Sequence, residues 1–164
     1  MTKSKSGLSF LWLSAVTFLL DLGSKYWVVK NFDLYESINI LPVFNLTYVR
    51  NYGAAFSFLA DHDGWQKYFF IILAITVSCF LLYFLAKNSV QQKLQNSAYA
   101  LIIGGAFGNM VDRTYHGFVV DFLDFYWDIY HYPVFNVADI AISIGAGLLI
   151  LDAFKNRENE GKGT

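Results

Sequence analysis

The chain predicts a membrane α-helical fold: four transmembrane helices, a small extracytoplasmic β-sheet, and both termini in the cytoplasm. Three observations carry that prediction. The 164 residues are 55% apolar and 19% aromatic, too hydrophobic for an ordinary soluble domain of this length. The apolar residues gather into four separated runs, and the lysines and arginines gather on one side of them. There is room for one domain, residues 1–155, with a polar cytoplasmic tail over 156–164 that the sequence predicts to be disordered.

The first span runs over about residues 8–29. Lys3 and Lys5 precede its uncharged, largely apolar stretch 8–20, an arrangement that imitates a secretory signal peptide. No small-x-small cleavage site follows, and Asp21 and Lys25 continue the segment instead, so it predicts an uncleaved first helix. The second span, about 67–86, contains 18 consecutive uncharged residues from Tyr68 to Leu85, close to the ~20 residues that cross a hydrocarbon core. The third, about 96–113, ends in Asn109, Asp112 and Arg113. The fourth, about 136–154, carries Asp139 near its start and closes at Asp152. Lys3, Lys5, Lys87, Lys93, Lys155, Arg157 and Lys162 all fall on one side, which by the positive-inside rule is the cytoplasm. The two long loops, about 30–66 and 114–135, therefore face outward.

In the first loop Phe44, Leu46 and Tyr48 alternate with Asn45, Thr47 and Val49, the period of two that marks a strand. Arg50-Asn51-Tyr52-Gly53 reads as a turn, and residues 54–59 as a second short apolar segment. Phe56, Phe58 and Trp65 form an aromatic edge from which closure of this loop over a ligand is expected. The second loop is rich in Trp127, Tyr130, His131 and Tyr132, residues suited to the headgroup layer. Cys79, the single cysteine, lies inside an apolar run and excludes an intramolecular disulfide. His62, His116 and His131 lack metal-ligand spacing and read as interfacial residues. Gly104 and Gly108 form a Gly-x-x-x-Gly, a device for close helix packing. No basic block suggests a nucleic-acid partner.

Against this apolar background two aspartates stand out, Asp121 in the second loop and Asp139 at the mouth of the fourth span. An acid at mid-bilayer costs about 2.5–3.5 kcal/mol on insertion scales, so acids near membrane spans point to function. Asp21 and Lys25, four apart on one helix face, form a neutralising pair. Asn109 and Arg113 share the same spacing and point toward one cavity. Asn136 stands three residues before Asp139 and can cap the fourth helix, with Asp139 in its first turn beside the positive helix end. Two converging carboxylates share one proton because both cannot ionise cheaply. One then acts as general base on water, while the other, protonated, hydrogen-bonds the scissile carbonyl and later protonates the leaving amine. From the residues alone three classes remain open: peptide hydrolysis, a proton or cation path, and a non-catalytic scaffold with structural ion pairs. The acids cluster at one face and no internal repeat is visible, which weighs against a transporter.

Five blocks then resemble lipoprotein signal peptidase (signal peptidase II): Asp21-Leu22-Gly23-Ser24-Lys25, Asn51-Tyr52-Gly53-Ala54-Ala55-Phe56-Ser57, Gly104-Gly105-Ala106-Phe107-Gly108-Asn109-Met110-Val111-Asp112-Arg113, Val119-Val120-Asp121-Phe122 and Phe135-Asn136-Val137-Ala138-Asp139. They occur in the family's order and spacing, from residue 21 to residue 139. The resemblance implies a bacterial inner-membrane aspartyl peptidase of four transmembrane helices with a periplasmic β-cradle. It implies Asp121 and Asp139 as the catalytic pair, and Asn51, Asn109, Arg113 and Asn136 as substrate-binding residues. Asp21, Lys25 and Asp112 are implied as structural support. The implied substrate is a diacylglyceryl-modified prolipoprotein, cut on the N-terminal side of its lipid-modified cysteine by a monomer surrounded by membrane lipid. No metal or organic cofactor is expected.

Overall fold

The computed structural model describes residues 6–53 and 64–161. Among these, four helices and a four-stranded antiparallel sheet follow one another as α1 (Leu11–Asn31), β1 (Ser37–Leu41), β2 (Phe44–Asn51), α2 (Gln66–Lys87), α3 (Lys93–His116), β3 (Val119–Trp127), β4 (Tyr130–His131) and α4 (Val137–Gly161). A short 3-10 turn, Gly7–Phe10, leads into α1, and Ser6 caps it by accepting from the Leu8 N–H. The apolar segment 54–59, with Phe56 and Phe58 of the expected closing loop, lies outside the described residues, as do Lys3, Lys5, His62 and Lys162. Trp65 is half-exposed and packs edge-on against Phe69.

The helices are arranged with their polar side inward. Ser14, Thr17, Asp21, Lys25, Asn96 and Asp112 are buried, whereas Trp12, Leu19, Leu20, Ile72, Phe80, Ile150 and Phe154 are exposed. In water that distribution would forfeit the hydrophobic effect; around lipid it is the stable one, because the solvent is itself apolar. Three segments, Gly7–Asn31, Gln66–Lys87 and Val137–Lys155, are long and apolar enough to cross a membrane. The protein is therefore membrane-embedded. Helix α3 is as long as these but more polar, and it packs against α1, α2 and α4.

Close helix approach is built from small residues. A methyl group on Gly104 would meet the Ser14 carbonyl oxygen of α1 at 2.7 Å, and one on Gly105 the Ala138 carbonyl oxygen of α4 at 2.5 Å. One on Gly108 would collide with the Asp21 carboxylate. The Gly-x-x-x-Gly expected to pack helices does so within the chain, seating α1 against α3. Helix α3 ends at Gly117, whose φ of +79° provides a left-handed C-terminal cap.

Arg50 and Asn51, expected in a turn, are instead the last two residues of β2, paired with Val120 and Val119, and two further segments differ from expectation. Helix α4 continues through Gly161, where a disordered tail was expected over 156–161; Arg157, Glu158 and Glu160 are good helix formers and no proline interrupts them. The second long loop contains a nine-residue strand, β3, as well as the exposed aromatic residues Trp127, Tyr130 and Tyr132. Its first four residues are buried regardless of parity, so the alternation that reveals β2 is missing. The sheet order is β1-β2-β3-β4, with Val49 opposite Asp121 and Asn51 opposite Val119. Val28 of α1 and Phe32 just past its end pack with Tyr48, Val120 and Phe122, anchoring the sheet to the helices.

Candidate active site

Asp121 sits on β3, held by that apolar anchor at the point where the sheet meets the helices. It is 1% exposed. Asn51, at the end of the neighbouring β2, donates its amide to Asp121 Oδ2 at 2.9 Å. Asn136 donates to Asp121 Oδ1 at 2.6 Å.

Asp139 reaches the same place from the first turn of α4. The Asn136 Oδ1 accepts from the Asp139 N–H at 3.0 Å, and Asp139 Oδ2 accepts from the Asn136 N–H at 3.3 Å, a reciprocal capping box. The cap expected from the sequence is thus present, and Asn136 has a second use. Its amide joins Asp121 and also donates to Asn109 Oδ1 at 3.2 Å, while Asn109 Nδ2 donates to Asp139 Oδ1 at 2.8 Å. Asn136 and Asn109 therefore tie the two carboxylates into one network.

Beneath it lies a buried charge cluster. Lys25 Nζ is 2.7 Å from Asp21 Oδ2, 3.2 Å from Asp112 Oδ2 and 2.8 Å from Asn109 Oδ1. Asp21 Oδ1 accepts from the Ala138 N–H at 2.9 Å, next to Asp139, and Asp112 Oδ2 accepts from the Val120 N–H at 3.0 Å, next to Asp121. Each supporting carboxylate thus fixes the backbone beside one of the two aspartates. A single ammonium between two buried acids compensates a desolvation cost that neither acid would bear alone.

Arg113 closes the other side. Its Nη2 donates to the Gly53 carbonyl at 2.7 Å and its Nη1 to the Asn109 carbonyl at 3.3 Å. The guanidinium lies 4.7 Å from the Phe70 ring centroid. Asn51, Asn109, Arg113, Asp121 and Asp139 all line one cavity of about 900 Å³, with Phe70, Tyr52 and Ile140 among its apolar walls. Of the other candidate residues named from the sequence, Asn136 and Lys25 bond to residues on this cavity, and Asp21 and Asp112 stand one step further out, paired with Lys25. Phe70 and His131 line it too and were not singled out. Phe70 lies within a uniformly apolar helix where nothing distinguishes it, and His131 read as interfacial.

Electrostatics separates the two acids. Burial, and then the charge of Asp139, push the Asp121 carboxyl up to about 7, although the amides of Asn51 and Asn136 pull the other way. Asp121 can therefore hold a proton near neutrality. Asp139 faces the positive end of α4, a place that suits a carboxylate. Among the described residues no three His, Cys, Asp or Glu side chains come together as a metal site. What the network can do is move one proton between two carboxylates at the wall of a partly apolar cavity.

The family described as Signal peptidase (SPase) II matches residues 13–155. A lipoprotein signal peptidase of Pasteurella multocida is 88% identical over 157 residues, covering 96% of this chain and 95% of that protein. One from Haemophilus influenzae is 77% identical over 156 residues, covering 95% and 91%. A solved bacterial membrane enzyme superposes with a TM-score of 0.85 at 31% identity, over 97% of this chain and 95% of that one. The chain belongs to the signal peptidase II family of proteases.

Proposed function

We propose that this chain is an aspartyl endopeptidase that removes the signal peptide from diacylglyceryl-modified prolipoproteins, on the N-terminal side of the lipid-modified cysteine. The single observation that carries the reading is the buried network joining Asp121 and Asp139 through Asn136 and Asn109 at the wall of one cavity. The names of the relatives support the substrate class.

In this reading Asp139 is the base and Asp121 the acid. Asp139 takes a proton from water as its oxygen attacks the scissile carbonyl, while Asp121 gives its proton to the carbonyl oxygen. The tetrahedral intermediate collapses as Asp139 passes its proton to the amine of the departing cysteine and the hydroxyl proton returns to Asp121. Arg113, Asn109 and Asn51 hold the peptide backbone, and developing negative charge meets the guanidinium. No covalent acyl intermediate is involved.

The lipid on the cysteine keeps the scissile bond near the headgroups, which explains a site at the junction of sheet and helices. We place four spans in the bacterial inner membrane, α3 being the polar, protein-facing one, with both termini cytoplasmic and the site at the periplasmic face. The distribution of Lys and Arg supports that orientation. The enzyme acts as a monomer. The test is to incubate the purified chain with a diacylglyceryl-modified prolipoprotein and read the product by mass. A product beginning at the lipid-modified cysteine is expected; an intact substrate, or a cut elsewhere, refutes the proposal.

A further inference from the structure

One carboxylate outside the reacting network is nearly as deeply buried as Asp121. Asp124, on β3, is 3% exposed. It accepts from Thr47 Oγ1 at 2.9 Å and Asn45 Nδ2 at 3.3 Å, both on β2, and lies 2.7 Å from His131 Nδ1 on β4. Burial pushes its carboxyl up, but the bonds from His131, Thr47 and Asn45 outweigh burial and hold it below the ordinary value. Asp124 is therefore ionised, and the imidazole Nδ1–H donates to it.

The place of this pair in the fold is informative. The hairpin from β3 to β4 has two residue pairs, Tyr126 with His131 and Trp127 with Tyr130, and reverses through Asp128 at φ +55°. So short a ladder does not hold itself in water, and burial does not hold it either, since Trp127, Ile129, Tyr130 and Tyr132 are exposed. Backbone bonds tie Tyr132 to the Phe125 carbonyl at 2.8 Å and Phe135 to Leu123 at 3.1 Å, and the side-chain hold at the β4 end is His131, clasped by Asp124 on one side and stacked on Tyr126 at 5.2 Å and 18° on the other. From His131 the chain runs through residues 132–135, which line the cavity, to Asn136, whose amide holds Asp121.

We propose that His131, clasped by Asp124, is a positioning residue: it holds the wall formed by residues 132–135 in place against the substrate peptide. The inference rests on the peptidase reading for its consequence and on the hairpin geometry for its cause. A charge-assisted bond of this kind is of the stronger class. Its loss loosens the β4 end of the wall, while the backbone pairing of Phe135 with Leu123 keeps the end next to Asn136 in place, so substrate binding suffers and the chemical step does not.

The test compares His131→Ala, Asp124→Asn, their double variant and His131→Asn in micelles, by amide exchange and by steady-state cleavage. His131→Ala is expected to speed exchange of the Tyr132 amide, which donates to the Phe125 carbonyl at 2.8 Å, about tenfold, with the helices unchanged. KM should rise about tenfold with kcat within about twofold of the parent. His131→Asn, whose amide sits close to the position of Nδ1, should keep both values within about threefold. The double variant should be no worse than the more severe single one. Unchanged exchange at Tyr132, additive effects, or a loss confined to kcat would each overturn the proposal. If the parent leaves the prolipoprotein uncut, the peptidase reading falls, and the exchange arm still decides whether the clasp holds the wall.

Discussion

Replacing Asp121 by Asn should make the protein more stable at pH 8 and less stable at pH 4. In the folded chain the Asp121 carboxyl is pushed from 3.8 up to about 7 by burial and by Asp139. A raised folded value means that the acid's contribution is fully present below its unfolded value and is lost as pH rises through the folded one. Each pH unit in that window is worth about 1.4 kcal/mol, so the parent loses about 4 kcal/mol between pH 4 and pH 8. Asparagine is neutral throughout and loses nothing. It has a cost of its own, because Asn51 and Asn136 each donate to one of the Asp121 oxygens. An amide nitrogen must face one of those donors, and a lost hydrogen bond is worth about 1 kcal/mol. The variant should thus be about 3 kcal/mol more stable at pH 8, with the two curves crossing at about pH 4.5. Unfolding by SDS titration in mixed micelles, followed by tryptophan fluorescence from pH 4 to pH 8, reads both curves. Parallel curves, or a variant that is weaker at pH 8, would refute the claim that Asp121 is a desolvated acid kept protonated by its surroundings.

Three further outcomes follow from the same geometry. Lys25→Met leaves Asp21 and Asp112 buried without their cation and should cost about 3–5 kcal/mol in the same unfolding assay; adding Asp21→Asn and Asp112→Asn should recover a large part of it. Gly108→Ala drives a methyl group into the Asp21 carboxylate and should cost about 1–3 kcal/mol, whereas Gly147→Ala, which meets nothing within 4 Å, should be neutral or slightly stabilising. The rate of cleavage, measured as kcat/KM against pH, should decline as pH rises through about 7, where Asp121 gives up the proton that the carbonyl oxygen needs; a rate that keeps rising to pH 9 would count against Asp121 as the acid.

Much of this was legible in the sequence because membrane physics restricts where charge can go. Asp21, Lys25, Asn109, Asp112, Arg113 and Asp139 stand out on apolar helices, and helical spacing assigns them to common faces. The capping relation of Asn136 and Asp139 follows from a spacing of three. The strand β2 was legible because the apolar Phe44, Leu46 and Tyr48 alternate with the polar Asn45 and Thr47. Its partner β3 was not, since Val119, Val120, Asp121 and Phe122 are all buried and continuous burial hides a period of two. For the same reason Asp121 read as a loop residue, although a strand carries it. The partnership of Lys25 with Asp112 and Asn109 is a contact between α1 and α3 that local spacing cannot express. Phe70 under Arg113 and His131 against Asp124 are tertiary contacts of the same kind.

The most direct measurement is single-turnover cleavage of a diacylglyceryl-modified prolipoprotein by the parent, Asp121→Asn and Asp139→Asn, with binding of the uncut substrate measured on the same preparations. Removing one member of a proton-sharing pair should lower the rate by about 10²–10⁴-fold while the variants remain folded and still bind substrate. A folded variant of either aspartate that cleaves within about tenfold of the parent would contradict the assignment of Asp121 and Asp139 as the reacting pair.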